Sequence, residues 1–167
     1  MKADKTVRFL CIMMLAALAV FSNVSYSQSK FEDALTKAKE KNKRVIVDIY
    51  TDWCGWCKKM DKDVYGNSEI KKIVKKNFVF VKLDAESSEL ISYNGRSFSG
   101  QQLAEFFGAT GYPTTIFLEP DGSVIEFKYD SVAMKNIPGY FNKDEFKKIL
   151  NFFKDGKYID SDLSKEV

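Results

Sequence analysis

Two cysteines, Cys54 and Cys57, stand three positions apart where an apolar segment meets a lysine-rich one. The apolar segment, residues 45–50, is rich in β-branched residues, which is typical of a strand buried on both faces. The segment after it has a helical pattern, so Cys54 falls at a helix N-terminus, where backbone N–H groups and the helix dipole stabilise a thiolate. Cys57 falls one turn further, within reach of a disulfide. The spacing predicts thiol–disulfide exchange, with a structural disulfide or half of a zinc site as alternatives.

The amino-acid composition limits which metals and cofactors the chain could bind. The 167 residues include no histidine and three cysteines. Lys58 follows Cys57, which excludes the Cys-x-x-Cys-His haem motif, and the third cysteine, Cys11, does not complete a cysteine-rich zinc site. No glycine-rich phosphate loop or dinucleotide fingerprint is visible. We therefore expect no metal and no cofactor other than the redox-active disulfide Cys54–Cys57.

The N-terminus has the organisation of an export signal. Lys2, Lys5 and Arg8 precede an uncharged apolar run at residues 9–21, and small residues lead up to Ser27. We predict a signal peptide at residues 1–27, cleavage after Ser27 and a periplasmic location. A retained membrane anchor is the alternative, although the run is shorter than the roughly 20 residues that a spanning helix needs.

Loss of this signal changes the charge balance. Removing three basic residues and one acidic residue takes the totals from 26 and 23 to 23 and 22, a net charge of about +1. Such a balance favours no nucleic-acid partner. We predict one domain at residues 28–160 and a C-terminal tail at residues 161–167. Only the Cys54–Cys57 pair remains in that domain, so disulfides do not serve as its scaffold.

Hydrophobic periodicity predicts an α/β domain with helices on both faces of a mixed central β-sheet. The predicted helices are residues 31–41, 54–64, 70–74, 101–107 and 142–153. The predicted strands are residues 45–50, 78–84, 114–118 and 123–129, the last antiparallel to the third. Residues 85–100 are predicted to form a solvated loop with one helical turn around 88–93, or else a partner-docking element.

One exposed surface has no predicted ligand. Lys71, Lys72, Lys75 and Lys76 alternate with apolar residues in the predicted helix at residues 70–74 and its continuation. This pattern is typical of a solvated helical face.

Together these residues resemble the thioredoxin superfamily over residues 31–154. The matching blocks are residues 47–57, 81–84 and 111–114, with Gly139 before the last helix. The long segment after Cys57 and the hairpin at residues 118–122 resemble exported thioredoxin-related proteins, including the C-terminal domain of the transmembrane disulfide reductase DsbD. Thioredoxins carry Gly-Pro where this chain has Gly55-Trp56, and the dipeptide tunes the reduction potential, so the redox direction stays open.

The resemblance implies a division of labour at the thiols. Cys54 is expected to be the more exposed nucleophile, with a lowered pKa, and Cys57 the more buried resolving thiol. Asp48 corresponds to a buried acid that accepts the proton of the second cysteine, and burial is expected to raise its pKa. The alternative is a half-exposed strand acid paired with a lysine. Lys82 corresponds to a lysine that approaches this acid.

The resemblance also implies a substrate-binding surface. Pro113 corresponds to a cis-proline facing the cysteines, with an ordinary turn proline as the alternative. Tyr112 would present its backbone to an extended substrate chain. Trp53 is expected to pack on the fold, and Trp56 to lie exposed where it contacts substrate or, alternatively, the neighbouring helix.

These expectations define an exported thiol–disulfide oxidoreductase that reduces protein disulfides, works as a monomer and receives electrons from a membrane protein. An oxidase or isomerase is the alternative of the same class. A thioredoxin-fold binding module or a metallochaperone holding Cu(I) between the two thiolates is an alternative of another class. A domain that has lost its activity is a third, which the joint presence of Asp48, Cys54, Cys57 and Pro113 disfavours.

Overall fold

The computed structural model describes residues 30–167, and the predicted signal peptide lies outside them. The α-helices are α1 (Lys30–Lys41), α2 (Gly55–Met60), α3 (Ser68–Asn77), α4 (Gly100–Phe106) and α5 (Lys143–Lys154). The strands are β1 (Arg44–Tyr50), β2 (Phe78–Asp84), β3 (Ile91–Tyr93), β4 (Arg96–Phe98), β5 (Thr114–Leu118), β6 (Phe127–Tyr129), β7 (Val132–Met134) and β8 (Ile137–Pro138). A π-helix, Asp61–Tyr65, continues α2, and two 3₁₀ turns, Lys157–Ile159 and Leu163–Lys165, follow α5.

The central sheet has the strand order β2-β1-β5-β8. β1 runs parallel to β2 and antiparallel to β5, and β5 is antiparallel to β8. β1 is therefore flanked on both sides, and its five central residues are buried. The predicted mixed sheet of an α/β domain is confirmed, and no helix of the described residues is long and apolar enough to cross a membrane.

Each face of the sheet has its own hydrophobic core. On one face α1 and α4 cover alternate residues of β1 and β2, among them Val47 and Val81. On the other face the α2–π-helix–α3 segment and α5 cover Ile46 and Phe117, with the rings of Phe117 and Phe153 stacked 3.7 Å apart. The apolar positions that predicted the helices are those that fill these two cores.

Side-chain caps fix where the helices around the site begin. Asn67 accepts hydrogen bonds from the backbone of the first turn of α3, which the predicted Asn/Ser cap anticipated. Ser99 and Asn142 form capping boxes with Gln102 and Glu145 at the starts of α4 and α5. α2 differs, because its N-cap residue is Cys54 itself.

The predicted fourth strand is wrong beyond its first residues. The turn at residues 119–122 forms, and a single bridge joins Leu118 to Val124. The chain then leaves the sheet, and β6 pairs with β7 in a separate hairpin. The edge position beside β5 is taken instead by the two residues of β8.

The prediction of a solvated loop at residues 85–100 is also wrong. β3 and β4 form a hairpin there, with no helical turn around residues 88–93. Ile91, Tyr93 and Phe98 are buried in the core beneath α1 and α4, and the Tyr93 hydroxyl donates a hydrogen bond to the Gly122 carbonyl at 2.8 Å. The insertion is thus a structural part of the domain.

Residues 161–167, predicted to be a tail, pack as part of the fold. Leu163 is buried in the core that contains α5. Asp162 accepts hydrogen bonds from the backbone N–H groups of Asp130 and Ser131, at the turn between β6 and β7. Hydrogen bonds from Ser164 and this backbone lower the pKa of Asp162 to about 2. The carboxylate therefore holds the C-terminal residues against the hairpin.

Candidate redox site

Cys54 and Cys57 form a disulfide at the N-terminus of α2, with their Cα atoms 5.3 Å apart. Cys54 has an extended backbone conformation, and its Sγ accepts a hydrogen bond from the Cys57 backbone N–H at 3.0 Å. The cap is thus supplied by sulfur, which places Cys54 at the positive end of the helix. The two residues are 4% and 3% exposed, so the expected difference in exposure is not present in this disulfide form.

Asp48 lies in the middle of β1 and is 2% exposed. Its position is buried rather than half-exposed. Burial raises the pKa of Asp48 from 3.8 to about 6. The positive charge of Lys82 opposes this shift, and the negative charge of Asp61 adds to it. Its Oδ1 atom has no hydrogen-bond partner among the described residues. The pKa of Asp48 therefore lies closer to neutral pH than that of an ordinary aspartate.

Lys82 and Asp48 are register partners in the parallel pair β1–β2. The Lys82 Nζ is 3.5 Å from Asp48 Oδ2 and 2.6 Å from Asp61 Oδ2, so it bridges two carboxylates. Although partial burial acts to lower the pKa of Lys82, the hydrogen bond to Asp61 and the charges of both carboxylates raise it. Lys82 therefore remains an ammonium group beside Asp48.

Asp61 was missed from the sequence. It lies four residues after Cys57, and its backbone N–H donates to the carbonyls of Cys57 and Lys58. The side chain is less than half exposed and contacts Lys82. Positions i and i+4 of a helix share a face, which is the signal that could have identified an acid linked to the second cysteine.

Tyr65, at the end of the π-helix, is a second residue that sequence reasoning missed. Burial raises its pKa well above 10, and the negative charge of Asp48 contributes. The hydroxyl is buried, and its interaction with the Thr115 side chain opposes the shift. The buried hydroxyl of Thr51 has no hydrogen-bond partner among the described residues. These two hydroxyls and Asp48 Oδ1 are buried polar atoms, which are uncommon in protein interiors without a full set of hydrogen bonds.

The Tyr112–Pro113 peptide bond is cis. Pro113 is buried and Tyr112 half-buried, and both line a cleft of about 300 Å³ together with Trp56, Gly139 and Tyr140. The Trp56 and Tyr140 rings are 5.3 Å apart. Tyr140 was not identified from the sequence, since aromatic residues in a loop carry no periodic signal.

The expectation that Trp53 packs on the fold is wrong, because 69% of this residue is exposed. Its Nε1 donates a hydrogen bond to Glu86 Oε1 at 3.0 Å, and its ring meets the edge of Tyr112 at 6.0 Å. Trp56 is 59% exposed, as expected, while also contacting Tyr140. Both tryptophans, each of which directly precedes a cysteine, thus present large apolar surfaces to solvent.

Across residues 30–167 there is no group of three or more potential Cys, Asp, Glu or His ligands. Gly55, between the cysteines, has open space around its Cα. The site thus consists of a disulfide at a helix N-terminus, a buried carboxyl group with a raised pKa and an aromatic cleft.

Fold and site together define a thioredoxin-like protein. The model of the thioredoxin-like domain family matches residues 31–154, and the chain belongs to this family. The resemblance inferred from the sequence is confirmed.

The curated relatives that this chain matches are much longer proteins. The thiol:disulfide interchange protein DsbD of Colwellia psychrerythraea is 28% identical over 117 residues, which cover 70% of this chain and 18% of DsbD. An uncharacterized protein of Caenorhabditis elegans is 31% identical over 90 residues, 54% of this chain and 12% of that protein. The chain thus spans less than a fifth of either relative.

Two solved structures illustrate the similarity. A putative disulphide-isomerase from Bacteroides thetaiotaomicron is 28% identical with a TM-score of 0.56, over 76% of this chain and 89% of that one. A thioredoxin-fold protein from Helicobacter pylori has a TM-score of 0.62 and 22% identity, over 83% and 90% of the two chains. At that identity the second comparison concerns the fold alone.

Proposed function

We propose that this protein is an exported thiol–disulfide oxidoreductase that reduces disulfides in other proteins through Cys54 and Cys57. The observation that carries the proposal is a disulfide at a helix N-terminus in the same fold as a buried carboxyl group with a pKa of about 6. Similarity to DsbD and to a putative disulphide-isomerase supports the same activity.

The reaction begins with the dithiol form. The Cys54 thiolate attacks one sulfur of a substrate disulfide, a Cys54–substrate bond forms, and the other substrate sulfur leaves as a thiolate that takes up a proton. Cys57 then loses its proton and attacks the Cys54 sulfur. The Cys54–Cys57 bond forms, the second substrate sulfur leaves, and two electrons have passed from the enzyme to the substrate.

Asp48 is the proposed acceptor of the Cys57 proton. A base with a pKa near 6 is ionised at neutral pH and still basic enough to take a proton as the thiol reacts. The ammonium group of Lys82 stabilises the ionised form of Asp48, and Asp61 forms an ion pair with Lys82 on the solvent side. The pair connects the buried carboxyl group with the turn of helix that contains Cys57.

The substrate is proposed to bind as an extended chain across the aromatic cleft. The backbone of Tyr112 precedes the buried Pro113 and is available to pair with such a chain. Trp56 and Tyr140 line the cleft, and the exposed Trp53 ring contacts Tyr112, which also lines it. Apolar side chains next to the substrate cysteine would gain from burial against these rings.

The electron supply is proposed to be a membrane protein in the same exported compartment. The predicted signal peptide and the similarity to DsbD support this placement. The reduction potential decides the direction of transfer. We expect a value near that of thioredoxin, about −270 mV, whereas a value near −120 mV would make the chain a disulfide donor.

Trapping the mixed disulfide tests the roles of the two thiols. In the Cys57→Ser variant the second step is blocked, so a covalent complex with a disulfide-containing substrate accumulates and is released by dithiothreitol. The matched Cys54→Ser variant is expected to form no such complex. Equal trapping by both variants would contradict the assignment of Cys54 as nucleophile.

A further inference from the structure

The free edge of β2 is the most prominent feature that the redox chemistry does not use. β2 is one of the two edge strands of the central sheet within the described residues, and at seven residues it is much longer than the other, β8. Such an edge offers about 23 Å of unpaired backbone, at roughly 3.3 Å per residue. α1 begins the described chain, and no described strand precedes it to cover this edge.

The register indicates which backbone groups point outward. Ala85, next after β2, donates its N–H to the Tyr50 carbonyl on β1 at 2.9 Å. In a parallel ladder alternate residues bond to the same neighbour, so Val79, Val81 and Leu83 face β1. The N–H and C=O groups of Phe80 and Lys82 therefore point to the open side.

Two helices border this edge on opposite faces of the sheet. A groove of about 650 Å³ runs between α1 and α3 along the N-terminal half of β2. Its apolar floor includes Ile70 and Val74 of α3 together with Phe78 and Phe80. A second groove of similar volume continues along the C-terminal half and shares Phe80.

The charge of the first groove is of one sign. All the charged residues that line it in the described part of the chain are lysines, namely Lys37, Lys41, Lys43, Lys71 and Lys75. They come from α1, the following turn and α3, so a chain lying along β2 would have ammonium groups on both sides. The second groove adds Lys30 and Lys82 against Asp84 and Glu89, which leaves the whole edge with an excess of positive charge.

We propose that this edge binds an extended acidic segment of a partner protein, which adds to the sheet as a strand beside β2. Backbone hydrogen bonds to Phe80 and Lys82 supply the pairing, as in other cases of strand addition. Alternate side chains of the added strand face α3 and α1, so apolar residues fit the floor beside Ile70, and the lysines on both helices attract the acidic residues. A second copy of this chain fits less well, because each copy would bring an edge lined by seven lysines and only two carboxylates.

The probe is a labelled heptapeptide of alternating glutamate and valine, titrated at physiological salt and followed by fluorescence anisotropy. We expect saturable binding by the protein that lacks its predicted signal peptide. The affinity should be equal in the disulfide and dithiol forms, because the edge does not involve the cysteines. Peptides with lysine in place of glutamate, or with four glutamates followed by three valines, serve as controls and are expected to bind at least tenfold more weakly.

Two double variants on the same helix test the position of the site. Lys71→Glu with Lys75→Glu reverses groove charges, whereas Lys72→Glu with Lys76→Glu makes the same change at exposed positions outside the groove. We expect the first to lose at least tenfold in affinity and the second to remain within about twofold. Similar losses in both would overturn the proposal, since they would indicate attraction without a site.

Amide exchange measured by NMR tests the mode of binding. The outward amides of Phe80 and Lys82 should gain protection when the peptide binds, while that of Val81, already paired with β1, should not change. The absence of this pattern overturns strand addition. So does sedimentation velocity showing that the free protein is a dimer with these amides already protected, because a second copy would then occupy the edge.

Discussion

Asp61 holds the ammonium group of Lys82 more closely than Asp48 does, although Asp48 is its register partner in the sheet. The contact with Asp61 is made from the solvent side, and the contact with Asp48 is made from within the core. If one of the two carboxylates is removed, Lys82 therefore interacts more strongly with the carboxylate that is left. This arrangement makes the proton affinity of Asp48 adjustable from outside the core.

Replacing Asp61 or Lys82 should move the pKa of Asp48 in opposite directions. Asp61→Asn removes a charge that raises this pKa and leaves Lys82 to Asp48 alone, so the pKa should fall. Lys82→Met removes the charge that lowers it, so the pKa should rise. A carboxyl ¹³C titration of the disulfide form measures both shifts. Shifts of the same sign would contradict the shared ammonium group.

Asp48→Asn should slow substrate reduction without preventing formation of the first mixed disulfide. The rate of the normal protein should rise with pH through about 6 as Asp48 ionises, and the variant should lack this step. We expect a loss of up to about 100-fold at pH 7, the lower end of what a positioned base contributes. Stopped-flow reduction of a model disulfide measures both. An unchanged rate and profile would remove Asp48 from the mechanism.

The same replacement should make the protein more stable at neutral pH. Because the folded-state pKa of Asp48 lies above its unfolded value of 3.8, the folded state holds the proton more tightly, and stability declines as pH rises from about 4 to about 6. A shift of this size corresponds to about 3 kcal/mol. Urea unfolding of the disulfide form at pH 4 and pH 7 should show a smaller decline for Asp48→Asn. An identical pH dependence in the two proteins would argue against the raised pKa.

Tyr93 should contribute strongly to stability although it lies in an inserted hairpin. Tyr93→Ala should cost about 3–5 kcal/mol, as for other buried aromatic residues. Tyr93→Phe should cost about 1 kcal/mol for the lost hydrogen bond to Gly122. Ser97→Ala, at an exposed position of the same hairpin, is the control and should change the free energy of unfolding by less than about 0.5 kcal/mol. Equal small effects at both positions would mean that the hairpin is dispensable.

The sequence predicted those parts of the fold whose signals are local. β1 was predicted to within one residue, because a run of apolar and β-branched residues is itself the condition for a strand buried on both faces. The pairing of Cys54 with Cys57 was likewise predicted from their separation of three residues. The hairpin at residues 91–98 also had a local signal that was overlooked, since Asn94 and Gly95 both adopt positive φ in its turn.

Other features depend on contacts between distant residues. The turn before residue 123 was predicted from Pro120, Asp121 and Gly122, but turn chemistry does not decide how far the next strand stays paired. The position of Trp53 involves contacts with Glu86 and Tyr112, which are remote in the chain, so the local sequence could not predict it. The bridge from Asp48 through Lys82 to Asp61 likewise requires the register of two strands and one helix.

The attachment of Asp162 to the β6–β7 turn has a practical consequence for truncation. A chain shortened to end at residue 160 would lose this carboxylate and, with it, Leu163, whose side chain covers part of the apolar core beside Phe127. Surface that is buried in the complete chain would then be open to other molecules, and aggregation is the expected result. The β6–β7 hairpin would also lose the contact that orients its tip.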